Sequence, residues 1–204
     1  MLKIGLEKEF FVVDAESGDY IIVPNGLPHD DCGWLAEARS KPNTDIVEAI
    51  HSLYADCYRL HETAKDLGCR LVGINVVKLS RKLQLQAQRK YAKGKIHYEN
   101  LYGYEHHRNS ASECLAGVHV SFTNECTIFY GDDNKSRSYN GIFDYAKLFR
   151  RLDDIYAEEI KDAKRRPGFY EIKPDGRIEY RSLPTSINLM NLITNLQTVV
   201  KGVL

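Results

Sequence analysis

The sequence lacks an excess of charge: 28 basic residues balance 28 acidic ones over 204 positions. With no net field, the simple electrostatic case for nucleic acid or an anionic membrane as partner falls away. It also lacks a CxxC pair. Its five cysteines, Cys32, Cys57, Cys69, Cys114 and Cys126, are odd in number and irregularly spaced. A disulfide frame and a zinc site are both disfavoured, and reduced thiols in a cytoplasmic protein are expected. No apolar run is long enough to span a bilayer and no secretion signal is visible, so a soluble chain with no membrane partner is expected. The P-loop and GxGxxG glycine patterns are missing, as is the GxSxG nucleophile elbow, which removes three common routes to catalysis. Internal repeats and low-complexity tracts are absent too.

What is present is a hydrophobic content of 43%, enough for a full core, and a single domain over residues 1–204 is expected. The pattern predicts a first strand, a turn at Ser17-Gly18-Asp19, and a return strand over Tyr20 to Val23. A short strand follows over Trp34 to Arg39. Apolar residues at three- and four-residue spacing predict a helix from Thr44 to Leu67, with Thr44 as cap and Gly68 as stop. Arg70 to Leu79 reads as a buried strand. The basic stretch Ser80 to Lys95 reads as a helix or a flap, and residues 96–113 as a long loop. Strands are predicted over Leu115 to Asn124 and Glu125 to Tyr130, and a second amphipathic helix over Ile142 to Lys164. A hairpin over Phe169 to Leu183 turns at Pro174-Asp175-Gly176, and a closing helix runs from Ser186 to Val203. The class is α+β: antiparallel strands with a few long helices, without the strict alternation of a doubly wound fold.

The stretch GLEKEFFVVD carries Glu7 and Glu9 two positions apart in an otherwise buried strand. Residues i and i+2 share a face, so the carboxylates would stand about 7 Å apart. At that distance they repel by roughly 2 kcal/mol at an effective dielectric near 20. An edge strand with both glutamates solvated is the plainer explanation; a cation between them is the other. The same alternation recurs. In WLAEAR, Glu37 and Arg39 share a face; in AGVHVSF, Gly117, His119 and Ser121 do; in RIEYR, Arg177, Glu179 and Arg181 do, with Ile178 and Tyr180 behind. If the four faces converge, they hold Glu7, Glu9, Glu37, His119 and Glu179, flanked by arginines. Carboxylates with one imidazole suit a hard divalent ion such as Mg²⁺ or Mn²⁺, and arginines suit phosphate oxygens. Together they describe a site for a metal-complexed polyphosphate and phosphoryl transfer.

GLEKEFFVVD, EARSKPNTD, AGVHVSF and GRIEYRSLPTS, in this order, resemble the carboxylate-amine ligases related to glutamate-cysteine ligase and glutamine synthetase, in particular the small, phage-encoded COOH-NH2 ligase family. The resemblance runs from residue 4 to about 190. It implies a glutamine synthetase-like catalytic sheet, antiparallel and curved, with long helices on its back. The implied activity is amide-bond formation driven by ATP through an acyl phosphate, with Mg²⁺ or Mn²⁺. It further implies small-molecule or peptide carboxylate and amine substrates, and a cytoplasmic location, that of the host if the chain is phage-encoded. Carried over, Glu7, Glu9, His119, Glu179 and Glu37 are metal ligands. Arg181 stabilises the transferred phosphoryl group, with Glu179 and Arg177 beside it, and Arg165, Arg166 and Lys173 join Arg181 around the nucleotide phosphates. Ser121 stands where relatives often have a second histidine, and Asn75 where some have a carboxylate. A wall of the amine site supplied by a second copy, and hence a homo-oligomer, stays open. Glu105, His106 and His107 are candidates to accept the amine proton, although surface residues of a tyrosine-rich loop are the plainer reading. A phosphotransferase on the same sheet, or a non-catalytic binding module using residues 80–95, are the alternatives.

Overall fold

The computed structural model describes residues 2–91, 113–123, 145–173 and 177–201. Among the described residues lie β1 (Lys3–Asp14), β2 (Leu35–Arg39), α1 (Ile46–Asp66), β3 (Cys69–Val72), β4 (Val76–Lys78), α2 (Arg81–Lys90), β5 (Glu113–Leu115), β6 (Gly117–Thr123), α3 (Tyr145–Ile155), α4 (Ala157–Asp162), β7 (Tyr170–Ile172), β8 (Ile178–Pro184) and α5 (Leu189–Lys201). The class is mixed, helices with antiparallel strand pairs, as the alternation predicts. The described residues form two compact units, one drawn from 1–7, 39–54 and 117–204, the other from 8–38 and 55–116. The chain passes between them within β1, within β2, within α1 and between β5 and β6. The expected loop over 96–113 lies outside the described residues up to 112, with Glu105, His106 and His107, as do the strand Glu125 to Tyr130 and the turn at 174–176, whereas Glu113 opens β5. Among the described residues no helix is long and apolar enough to cross a membrane, and no disulfide joins Cys32, Cys57, Cys69 or Cys114.

In the first unit the strand order is β1-β6-β8-β7. β7 and β8 form the predicted hairpin, with Tyr170 opposite Tyr180, Glu171 opposite Glu179 and Ile172 opposite Ile178. β8 alternates as read: Ile178 and Tyr180 are buried on the face away from Arg181. The Tyr180 ring stacks on Phe149 of α3 at 5.1 Å between centroids, and its hydroxyl donates to Asp153 Oδ1 at 2.5 Å. The helix expected over 142–164 is two helices. The apolar spacing runs unbroken through Tyr156, but that residue sits at φ −111°, ψ 24°, outside the helical region, and α4 restarts after it. The Tyr156 hydroxyl accepts a bond from Asn195 of α5 at 2.9 Å. α5 begins after Asn188, whose side chain accepts from the amides of Met190 and Asn191.

α1 starts later than predicted: Asp45, not Thr44, takes the capping role, accepting from the Val47 amide at 2.8 Å. Its end is as predicted, with Gly68 at φ +70° and its amide on the carbonyl of Lys65. In the second unit the rest of β1 pairs with β3, Phe11 opposite Val72 through Asp14 opposite Cys69. The expected strand 70–79 is split at Gly73: β3 pairs with β1, whereas β4 pairs with β5. The return leg at Tyr20 shrinks to a single bridge with Val13, because Asp14 takes the Glu16 and Ser17 amides into a tight turn. A core of Phe11, Trp34, Leu35, Val77, Leu79, Ala87, Cys114 and Ala116 closes this unit. Burial there pushes the Cys114 thiol up to about 12, so it packs as an apolar residue. The basic stretch is helical over Arg81–Lys90. Ser80 caps it, Gln84 and Ala87 are buried, and Arg81, Lys82, Arg89 and Lys90 face out.

Candidate metal centre

The centre of the cluster is Glu179 on β8, which is completely buried. A carboxylate so placed needs partners, since burying a lone charge is prohibitive. Arg181 Nη1 donates to its Oε1 at 2.8 Å, and Lys173 Nζ lies 3.2 Å from the same oxygen. Ser121, opposite it in the β6–β8 register, points its hydroxyl at Oε2 from 3.4 Å. His119 Nδ1 lies 3.5 Å from Glu179 and 3.6 Å from Glu7. Burial, and then the Arg181 guanidinium, hold this imidazole well below its ordinary pKa despite the pull of Glu179. It is therefore neutral, and those two contacts are not ion pairs. Glu7 is joined at 3.6 Å by Arg39, whose side chain is 59% exposed and thus a weak partner.

Glu7, His119 and Glu179 each offer a ligand atom within 4.8 Å of the others. Opposite ligands of an octahedral Mg²⁺ stand about 4.2 Å apart, twice a bond of ~2.1 Å, so the span needs only a small closing movement. Two carboxylates and a neutral imidazole are a donor set that suits Mg²⁺ or Mn²⁺. These residues fit such an ion.

Glu9 and Glu37, both 4% exposed, belong to the second unit and are not members of this group. Arg177 precedes β8, and its carbonyl accepts the Lys173 amide at 2.9 Å. Arg166 is exposed and lends its carbonyl to the Ser182 hydroxyl. Sequence reasoning missed Glu171, whose Oε2 accepts from Arg181 Nη1 at 2.6 Å and from Lys173 Nζ at 2.9 Å. The signal was there: a hairpin centred on residue 175 sets 171 opposite 179.

Arg165 turns its guanidinium onto backbone. At His119 the β6–β8 register shifts between Val118 and Val120, and such a bulge leaves ladder groups to be satisfied otherwise. Arg165 Nε and Nη2 donate to the carbonyl of Arg181 at 3.1 and 2.8 Å. The chain reaches that position from α4 through Lys164 at φ 54°. The Arg165 amide bonds to Ile160 and the Lys164 amide to Lys161, the double closure of a left-handed helix end. The guanidinium lies over Gly117, where a Cβ would come within 2.4 Å of Nη2. Gly117→Ala is therefore expected to displace Arg165 and lose its bonds to Arg181, about 1–2 kcal/mol in a urea melt. In an Arg165→Ala background the same change should be near neutral; an equal loss there would refute this account.

The chain matches no protein-family model, and among curated proteins none matches it.

Proposed function

We propose that the chain is an ATP-dependent carboxylate-amine ligase with a glutamine synthetase-like catalytic sheet, working through an acyl phosphate with Mg²⁺ or Mn²⁺. The observation that carries this reading is the meeting of Glu7, His119 and Glu179 within 4.8 Å, with Arg181 and Lys173 beside them. Metal ligands and phosphate-gripping cations are both needed where anionic oxygens of a nucleotide crowd a carboxylate substrate. The sequence resemblance supports the same reading.

A carboxylate resists attack by an amine because its charge repels the lone pair and it lacks a leaving group. Transfer of the γ-phosphoryl group to a carboxylate oxygen breaks the bond to the β-phosphate, releases ADP and leaves an acyl phosphate. The neutral amine then attacks the carbonyl carbon, phosphate departs, and the amine proton passes to a base or to water. A bound divalent ion supplies neutralisation of the phosphate oxygens. Arg181, only 14% exposed, is placed to grip the transferring group, and Lys173 to hold a neighbouring oxygen. Ser121 orients the Glu179 carboxylate, and His119 stands with Glu7 and Glu179 as a ligand for the ion.

The test is release of ADP and phosphate that requires both a carboxylate and an amine, run over panels of amino acids, peptides and polyamines. Hydroxylamine replaces the amine in a second arm, where an acyl phosphate yields a hydroxamate. ADP formed without hydroxamate would replace the ligase by a phosphotransferase. No nucleotide turnover, together with no stabilisation by ATP and Mg²⁺ in a thermal melt, would reject both.

A further inference from the structure

Lys173 and Arg181 each stand between two carboxylates that face one another across the β7–β8 hairpin. Arg181 Nη1 lies 2.8 Å from Glu179 and 2.6 Å from Glu171; Lys173 Nζ lies 3.2 Å from Glu179 and 2.9 Å from Glu171. Both contacts to Glu171 are the shorter, and both fall on one oxygen, Oε2. On the other side, Oε1 of Glu179 is crowded by Arg181, Lys173 and His119 at once. A divalent ion on either oxygen of Glu179 would stand within a carboxylate's width of two resident cations. Like charges that close repel strongly, so either the cations leave Glu179 or the ion does not bind.

We infer that Glu171 is a positioning residue: it is the counter-ion that takes Arg181 and Lys173 over when Glu179 accepts a divalent cation, holding both beside the site. This rests on the ligase reading and adds to it a way for one hairpin to carry metal ligands and phosphate-binding cations together. The balance of charge agrees. Glu7, Glu171 and Glu179 are matched by Arg39, Lys173 and Arg181. Without Glu171 these groups carry a surplus positive charge, and both cations lose their shorter carboxylate contact. The cross-strand position makes the handover short: Arg181 changes partner without leaving its place, because Glu171 already holds it.

The experiment is Mn²⁺ titration of the full chain followed by electron paramagnetic resonance, a readout independent of turnover. Glu171→Gln, close in shape, is expected to weaken Mn²⁺ binding about tenfold. In a Lys173→Gln/Arg181→Gln background the same change is expected to weaken it threefold or less, since the competitors it restrains are gone. A melt of each variant verifies folding, and Glu171→Asp serves as a second variant should the amide unfold the hairpin; it is expected to bind more tightly than Glu171→Ala. An equal loss in the two backgrounds would show the carboxylate acting on the ion directly through space and would overturn the inference while leaving the metal centre standing. Unchanged affinity in Glu171→Gln overturns it as well. If the unmodified chain binds no Mn²⁺, inference and metal centre fall together.

Discussion

Glu179→Gln is expected to lower turnover in the ligase assay by two to three orders of magnitude and to abolish Mn²⁺ binding, while the protein remains folded. The amide keeps the shape of the side chain and removes its charge. Arg181 and Lys173 then keep their contacts to Glu171, and His119 loses the Glu179 carboxylate beside it. Removing one partner of a buried ion pair commonly destabilises by about 3–5 kcal/mol. Here the low end, about 3 kcal/mol, is expected, because Glu171 still compensates both cations. The catalytic effect follows from a different quantity. Removing one electrostatic group from a transition state costs on the order of 3 kcal/mol in the barrier, which is two to three decades in rate. Urea unfolding and the hydroxamate assay on one preparation separate the two. Turnover within threefold of the unmodified chain would remove Glu179 from the proposed chemistry, whatever the melt shows.

Strand faces were legible because period-two alternation is a local property: in RIEYR the charged residues and the pair Ile178, Tyr180 had to fall on opposite sides in any sheet. Gly68 could be read as a helix stop for the same reason, a left-handed backbone that glycine accepts without strain. Convergence is another matter. Nothing local dictates that residue 7 meets 119 and 179, and the reading reached it only by combining four strands and a resemblance. Where it went astray, competing signals overlapped. The helix break at Tyr156 is invisible because Leu152, Tyr156 and Ile160 keep four-residue spacing on the buried side. The split at Gly73 was masked by the apolar residues around it, although a glycine inside a strand pattern is a warning of a break. Glu171 is legible only across the hairpin, by its register opposite Glu179, and not from the alternation within one strand.

Tyr180→Ala is expected to be the most destabilising single change on this hairpin, by about 3–5 kcal/mol. The side chain is fully buried, its ring stacked on Phe149 with the planes 20° apart, and its volume heads the fully buried residues. The truncation removes that packing and leaves a cavity between β8 and α3 that neighbouring aromatic rings cannot fill without leaving their rotamers. Domains of this size are stable by only 5–15 kcal/mol, so the loss is a large part of the whole. Tyr180→Phe isolates the hydroxyl. Its bond to Asp153 is short and charge-assisted, but Asp153 is half-exposed and regains water when the donor is gone, so about 1 kcal/mol is expected. The hydroxyl of Tyr180 itself stays protonated: burial first, then the neighbouring Asp153 carboxylate, push its pKa far up, so neither variant should alter the pH dependence of unfolding through this group at neutral pH. The two variants also differ at the site. Glu179 and Arg181 flank Tyr180 in sequence and point the other way, so their aim depends on the strand being pinned from behind. Tyr180→Phe keeps the ring and should bind Mn²⁺ like the unmodified chain; Tyr180→Ala, studied below its melting temperature, should bind it at least tenfold more weakly. A Tyr180→Ala melt within about 1 kcal/mol of the unmodified chain would mean that α3 and β8 are not held together by this contact.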